Sequence, residues 1–357
     1  MNLYVIKEEA RDEKDNRTAS VKPRADICDA LLEQASAKLY KANFSSKNKS
    51  SVISRLYDQF KTYPTWKKIF AELDASDMLV VQYPPFNGCF SFGHALENVC
   101  NRAKVILFLH DVETIRLSDS SSRSIFERVV ESEERRALRA ADCVIAHNEK
   151  MRDALVSRLG VDPSKIICLE LFDYLLPGFK EEENQFSWDK PIVVAGNLSE
   201  NKAGYLSELP EELSFNLYGV NYNPKQNKEN VSYKGSYPSD DLPKAIEGSY
   251  GLVWDGPSAA TCDGCFGEYL RINNPHKASL YLAIGMPVIV WKESALADLV
   301  RNEGIGFAVT SLDELPHVLE NVSAEDYRQM RERVRGFSGR LKSGYHTVSA
   351  LAKAANC

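Results

Sequence analysis

Lys277 has the neighbourhood in this chain that most strongly suggests chemistry. It follows Asn273-Asn274-Pro275-His276 and precedes a mostly apolar run, Ala278 to Ile284, that stops at Gly285. Proline suits the start of a helix and glycine its end, so the spacing predicts a helix opening at Pro275 with Ser279 in its first turn. Upstream, Gly251-Leu252-Val253-Trp254 is a short apolar run broken by Asp255-Gly256, and a second apolar run covers Met286 to Trp291. Two buried parallel strands on either side of a helix are the expectation. A lysine and several amides gathered at a helix N-terminus, beside strand ends, form an anion site. In an open α/β sheet the ligand lies beyond the carboxyl ends of the strands. A phosphate-bearing small molecule is the natural occupant. A lysine in the first turn opposes the helix dipole, and a bound diphosphate would reverse that penalty.

The rest of the chain supplies a scaffold for such a site. In the first half, residues 3–7 predict a strand at the edge of a sheet. A long helix follows from Val21, with Ile27, Ala30, Leu31 and Leu32 near helical spacing. Residues 41–51 are polar and rich in Ser and Lys, a loop composition. Helices are predicted over 51–60, 65–73, 92–100 and 149–160. A serine-rich loop and a charged amphipathic helix span 118–141, and buried strands are predicted at 77–84, 104–111, 143–148 and 165–171. After a mixed, acidic linker, strands are predicted at 191–197, 213–220, 231–237, 251–255, 287–291 and 306–309, mostly separated by helices. This alternation argues for parallel, doubly wound sheets of the α/β class.

Composition agrees with a globular protein of two domains. The chain has 357 residues, 44% hydrophobic and 26% charged, with a net charge of −6. Such a length exceeds a usual single core. The negative balance offers no footprint for nucleic acid. The first fifteen residues turn polar after Ile6, so no signal peptide is expected, and no apolar span of about 20 residues suggests a membrane helix. A cytoplasmic protein is the expectation. The eight cysteines are scattered without paired zinc-type spacing. Cys262 and Cys265 spell a CxxC in a loop without the strand–CxxC–helix setting of a redox motif, so reduced thiols are expected.

The segments WDG, GEYL, NNPHK and SLYL resemble the bacterial β-1,6-galactofuranosyltransferases of polysaccharide assembly and, more loosely, the glucosyltransferases that extend glycans on streptococcal adhesins. LHDVETIR, AHNEKM, LFDYL, VAGNLSENK, LYGVNY and YKGSY resemble the same family in matching order. The resemblance implies a GT-B fold, with two doubly wound Rossmann-like domains facing across a cleft. The implied division is 1–172 for an acceptor domain, 173–335 for a nucleotide-sugar domain, and 336–357 for a C-terminal helix packing back on the first. It also implies transfer of galactofuranose from UDP-galactofuranose to a glycoside or lipid-linked glycan, in O-antigen or capsule synthesis. A UDP-glucose-type pyranosyltransferase and a non-catalytic nucleotide-sugar-binding subunit remain the alternatives. Contact with the inner face of a membrane and self-association are left open.

Under that resemblance each residue has a role and a competing structural one. Gly196-Asn197 ends an apolar strand where a backbone approaches pyrophosphate, or forms a turn. Lys202 is a phosphate partner. Tyr218-Gly219 ends the next strand, Tyr218 stacking on uracil or filling the core. Asp255 binds hydroxyls of the sugar or ribose, or caps the following loop. Asn273 and Asn274 orient hydroxyls or make the turn before Pro275. His276 donates to the leaving phosphate or caps carbonyls. Ser279 completes the donor site with Lys277. Inversion from an α-linked donor needs a base on the acceptor hydroxyl. Asp111, at the end of a very hydrophobic strand, is the first choice and Glu113 the second. With no Asp-x-Asp pair in view, no metal or other cofactor is expected; basic residues and a helix dipole would balance the diphosphate.

Overall fold

Strands and helices alternate to build two six-stranded, all-parallel sheets in the computed structural model, which describes residues 2–8, 21–42, 62–85, 89–99, 103–116, 125–182, 185–224 and 228–357. Contacts group them into two compact units. The first lies within Met1–Glu9, Ile27–Glu170 and Thr347–Cys357, and the second within Ala10–Asp26 and Leu171–His346.

The first unit contains β1 (Leu3–Glu8), β2 (Lys38–Ala42), β3 (Met78–Tyr83), β4 (Lys104–Leu109), β5 (Cys143–Ala146) and β6 (Ile166–Cys168). Their order is β2-β1-β3-β4-β5-β6. The strand expected at the edge, β1, is therefore internal. It pairs with β2 on one side and β3 on the other. The edge is β2, whose Lys-Leu-Tyr-Lys-Ala sequence carries little apolar signal because an edge strand keeps one flank in water. Strands β3, β4 and β5 are buried almost throughout, as both faces of a parallel sheet require. The helix expected over 51–60, most of the loop over 41–51 and the serine-rich stretch before the helix Ile125–Ala140 lie outside the described residues.

The second unit contains β7 (Ile192–Asn197), β8 (Phe215–Val220), β9 (Val231–Gly235), β10 (Gly251–Val253), β11 (Val288–Trp291) and β12 (Gly306–Val309), in the order β12-β11-β10-β7-β8-β9. All six match strands expected from the sequence. Alternate residues enter opposite cores: Val193, Ala195, Val253, Val288 and Val290 pack on one face, and Ile192, Val194, Leu252, Trp254, Ile289 and Trp291 on the other. Both faces are apolar, which is why the strands read as unbroken hydrophobic runs.

The chain reverses its direction of winding between β7 and β10. These strands share one registered pair, Gly251 with Val193, whereas β7 pairs with β8 along its whole length. Beyond Val193 the amide of Ala195 donates instead to the hydroxyl of Tyr281, at 2.7 Å. The Tyr281 ring lies directly on Gly251, where a Cβ would meet it at 2.1 Å. A crevice therefore opens at the carboxyl ends of β7 and β10.

The last part of the chain forms two helices, Ala324–Lys342 and Tyr345–Ala355, where a single helix over 336–357 was expected. Ser323 and Asp326 form a capping box at the start of the first, and Gly344 breaks the pair with φ of +75°.

Candidate active site

The crevice of the second unit leads into a pocket lined by Ala195 and Gly196 of β7, Tyr218 and Gly219 of β8, and His276, Lys277 and Leu280 of the helix His276–Ala283. Lys22, Tyr174, Tyr237, Ser239 and Leu242 complete it. Gly196 and Gly219 are cross-strand partners. Gly196 has φ of +131°. A Cβ on Gly219 would lie 1.8 Å from the Gly196 carbonyl oxygen. Only glycine at 219 lets the strand ends run this close, and the φ of Gly196 favours glycine there too, leaving bare backbone at the pocket wall.

Lys277 is the second residue of its helix, and its side chain is 13% exposed. Its ammonium donates to the Trp254 carbonyl at 2.7 Å and to Asp255 Oδ1 at 2.8 Å. Burial pushes the Lys277 pKa below the ordinary lysine range, and Asp255 opposes that shift. Two of three ammonium protons are thus used. Asp255 is 5% exposed, with Lys202 Nζ 3.8 Å from its other oxygen. Its carboxylate holds two lysines in place. The Lys202 ammonium also sits 5.3 Å from the Phe266 ring centre.

His276 is buried, and its Nε2 lies 3.3 Å from the Asp173 carbonyl. That contact requires a proton on Nε2. Burial drives the pKa to about 3, so the ring is neutral and its other nitrogen accepts only. The ring stacks on Tyr174 at 4.9 Å. This geometry fits the carbonyl-binding role rather than proton donation to a phosphate. Tyr218 is 1% exposed, its hydroxyl accepting from the Glu247 amide at 3.1 Å. It forms part of the pocket floor and of the core together.

The other expected donor residues are not pocket walls. Asn197 Oδ1 accepts from Ser199 N at 3.1 Å and Asn221 Nδ2 at 3.0 Å, closing the turn after β7. Asn274 and Ser279 are 4% and 1% exposed. Asn273 Oδ1 is buried with no hydrogen-bond partner.

Lys22, Tyr174, Tyr237 and Ser239 were not anticipated. Lys22 and Asp26 stand one turn apart at the start of the helix Val21–Gln34, 2.7 Å from each other and both buried. Burial raises the Asp26 pKa to about 7 against the pull of Lys22. A Lys-x-x-x-Asp pair in a helix is usually a solvated surface pair, so the sequence carries no sign of this one's burial.

In the first unit the two expected base candidates differ. Asp111 follows β4, its side chain 41% exposed, with Arg116 Nη1 4.0 Å away. Both oxygens of Glu113 lie 2.6 Å from Arg116 Nη2. Burial raises the Glu113 pKa while Arg116 lowers it. Beneath them Glu134, also not anticipated, is 1% exposed and accepts from the amides of Glu113 and Thr114 at 3.0 and 2.7 Å. It fixes the short helix Glu113–Arg116 that carries the second candidate. Burial pushes the Glu134 carboxyl up to about 7. Nearby, His147 is buried with Nε2 3.2 Å from the Leu109 carbonyl, and its pKa falls to about 4.

The architecture is shared with solved structures of low sequence identity. Sucrose-phosphate synthase from Thermosynechococcus elongatus superposes with a TM-score of 0.66 at 12% identity, covering 99% of this chain and 98% of that one. The fold is GT-B. Residues 3–171 match the N-terminal domain, and residues 192–354 the C-terminal domain, of the glucosyltransferase 3-like family. The chain is 34% identical to the beta-1,6-galactofuranosyltransferase WbbI of Escherichia coli over 284 residues, 78% of this chain and 79% of that protein. It is 32% identical to glucosyltransferase 3 of Streptococcus gordonii, covering 80% of this chain and 81% of that one. A GT-B glycosyltransferase is the class that fold and likeness define. The chain belongs to the glucosyltransferase 3-like family, as the order of its motifs implied.

Proposed function

We propose that this glycosyltransferase moves galactofuranose from UDP-galactofuranose to a glycoside hydroxyl, with inversion, in polysaccharide assembly at the cytoplasmic side of a membrane. The observation that carries the donor half is Lys277, held by Asp255 at a glycine-walled strand-end pocket. The furanose assignment is supported by the 34% identity to WbbI. In the reaction the acceptor oxygen attacks the anomeric carbon as its bond to the diphosphate breaks. The diphosphate leaves with the electron pair, and Lys277 with the helix N-terminus stabilises its charge. Asp111, whose side chain is 41% exposed just beyond β4, takes the acceptor proton. Metal independence belongs to the same reading.

A second reading, transfer of glucose from UDP-glucose, is favoured by the 32% identity to glucosyltransferase 3. Incubation with UDP-galactofuranose, UDP-glucose and a panel of alkyl glucosides, with products identified by mass and NMR, separates the two. A furanosyl product supports the first reading; glucosyl transfer alone replaces it.

A further inference from the structure

Lys22 differs from Lys277 in having no proton to spare. Its ammonium contacts Asp26 Oδ1 at 2.7 Å, the Leu175 carbonyl at 2.9 Å and Asp240 Oδ1 at 2.9 Å. Two of these partners are fixed. The Asp26 side chain is 2% exposed, and its other oxygen accepts from the Leu175 amide at 3.1 Å. The third is not, because the Asp240 side chain is 79% exposed. Asp240 sits in a turn whose neighbours Ser239 and Leu242 line the pocket. The turn is fastened by Tyr174, whose hydroxyl donates to the Ser239 carbonyl at 2.8 Å.

An exposed ion pair contributes little to stability, whereas a phosphate oxygen brought to a largely buried ammonium makes a strong charge-assisted bond. We propose that Asp240 is a built-in competitor for the anionic ligand: the diphosphate of the donor displaces it from Lys22, which becomes a second cation on that group beside Lys277. This rests on the reading of the pocket as a nucleoside diphosphate site. Asp240 thereby lowers the affinity for any anionic occupant, and it favours ligands charged enough to take its place. Neutral nucleosides gain nothing from the exchange.

Calorimetry with UDP and with uridine tests this on the full chain. Asp240→Asn should tighten UDP binding roughly two- to five-fold, the scale of one exposed ion pair. Uridine affinity should stay unchanged. Asp241→Asn, which removes the same charge one residue along, should match wild type. In a Lys22→Met/Asp26→Asn background the gain from Asp240→Asn should vanish; if that background does not fold, the Asp240 and Asp241 comparison decides alone. Equal UDP affinity in Asp240→Asn, Asp241→Asn and wild type overturns the exchange and leaves the donor pocket standing. Absence of UDP binding to wild type overturns both.

Discussion

The two units share a parallel, doubly wound design, yet one sets lysines held by aspartates beyond its strand ends and the other sets carboxylates around an arginine. In the second unit the crevice between β7 and β10 is bounded by two glycines and fed by Lys22, Lys277 and, through Asp255, Lys202. In the first, the end of β4 carries Asp111 and Glu113 around Arg116, with Glu113 on a short helix held by the buried Glu134. One site presents ammonium groups, each held by an aspartate. The other holds carboxylates, one of which retains a half-exposed side chain. Similar scaffolds thus reach different chemistry through a handful of residues just beyond the strands, where substitutions leave the sheet intact.

That contrast assigns different consequences to damage on each side. The largest effect should come from Asp111→Asn, which keeps the shape and removes the basicity. Turnover should fall about 10²–10⁴-fold, the scale of general base catalysis, with UDP affinity nearly unchanged. Steady-state kinetics alongside UDP titration reads both. If Glu113→Gln is inactive while Asp111→Asn works, the base lies two residues along. A smaller effect is expected from Gly219→Ala. The new methyl group would strike the Gly196 carbonyl and should cost about 1–3 kcal/mol of stability, as overpacking does. Thermal or urea unfolding measures it, and an unperturbed midpoint would mean that the strand ends part freely. The smallest effect should be that of excess EDTA, which leaves turnover as it was because cations of the protein already balance the diphosphate. Loss of activity restored by Mn²⁺ or Mg²⁺ would contradict this.

Much of the scaffold was legible because buried parallel strands are short apolar runs with polar breaks. All six strands of the second unit carry that signature. Strand β2 does not, since Lys38, Tyr40 and Lys41 suit an edge as well as a loop. Within the site, Lys277, Gly196 and Gly219 were legible from their positions at element ends. The partners of Asp255 were not, because the contact from Asp255 to Lys277 joins residues 22 positions apart. Lys22 was further out of reach. It lies 153 residues from Leu175, in a helix whose apolar spacing points to ordinary packing. Glu134 likewise looks like one more charge on an amphipathic helix until its burial under the Glu113 turn is seen.

The central claim is that the second unit's pocket holds the diphosphate of a UDP-sugar through Lys277. Titration calorimetry of UDP tests it most directly. The comparison is between Asp255→Asn and Asp255→Asn/Lys277→Met, so that no carboxylate is left buried without its lysine. The double variant should lose on the order of 1.5–3 kcal/mol of UDP affinity relative to the single one, the worth of a charge-assisted hydrogen bond. Uridine should bind both alike. Equal UDP affinity in two folded variants would contradict the account.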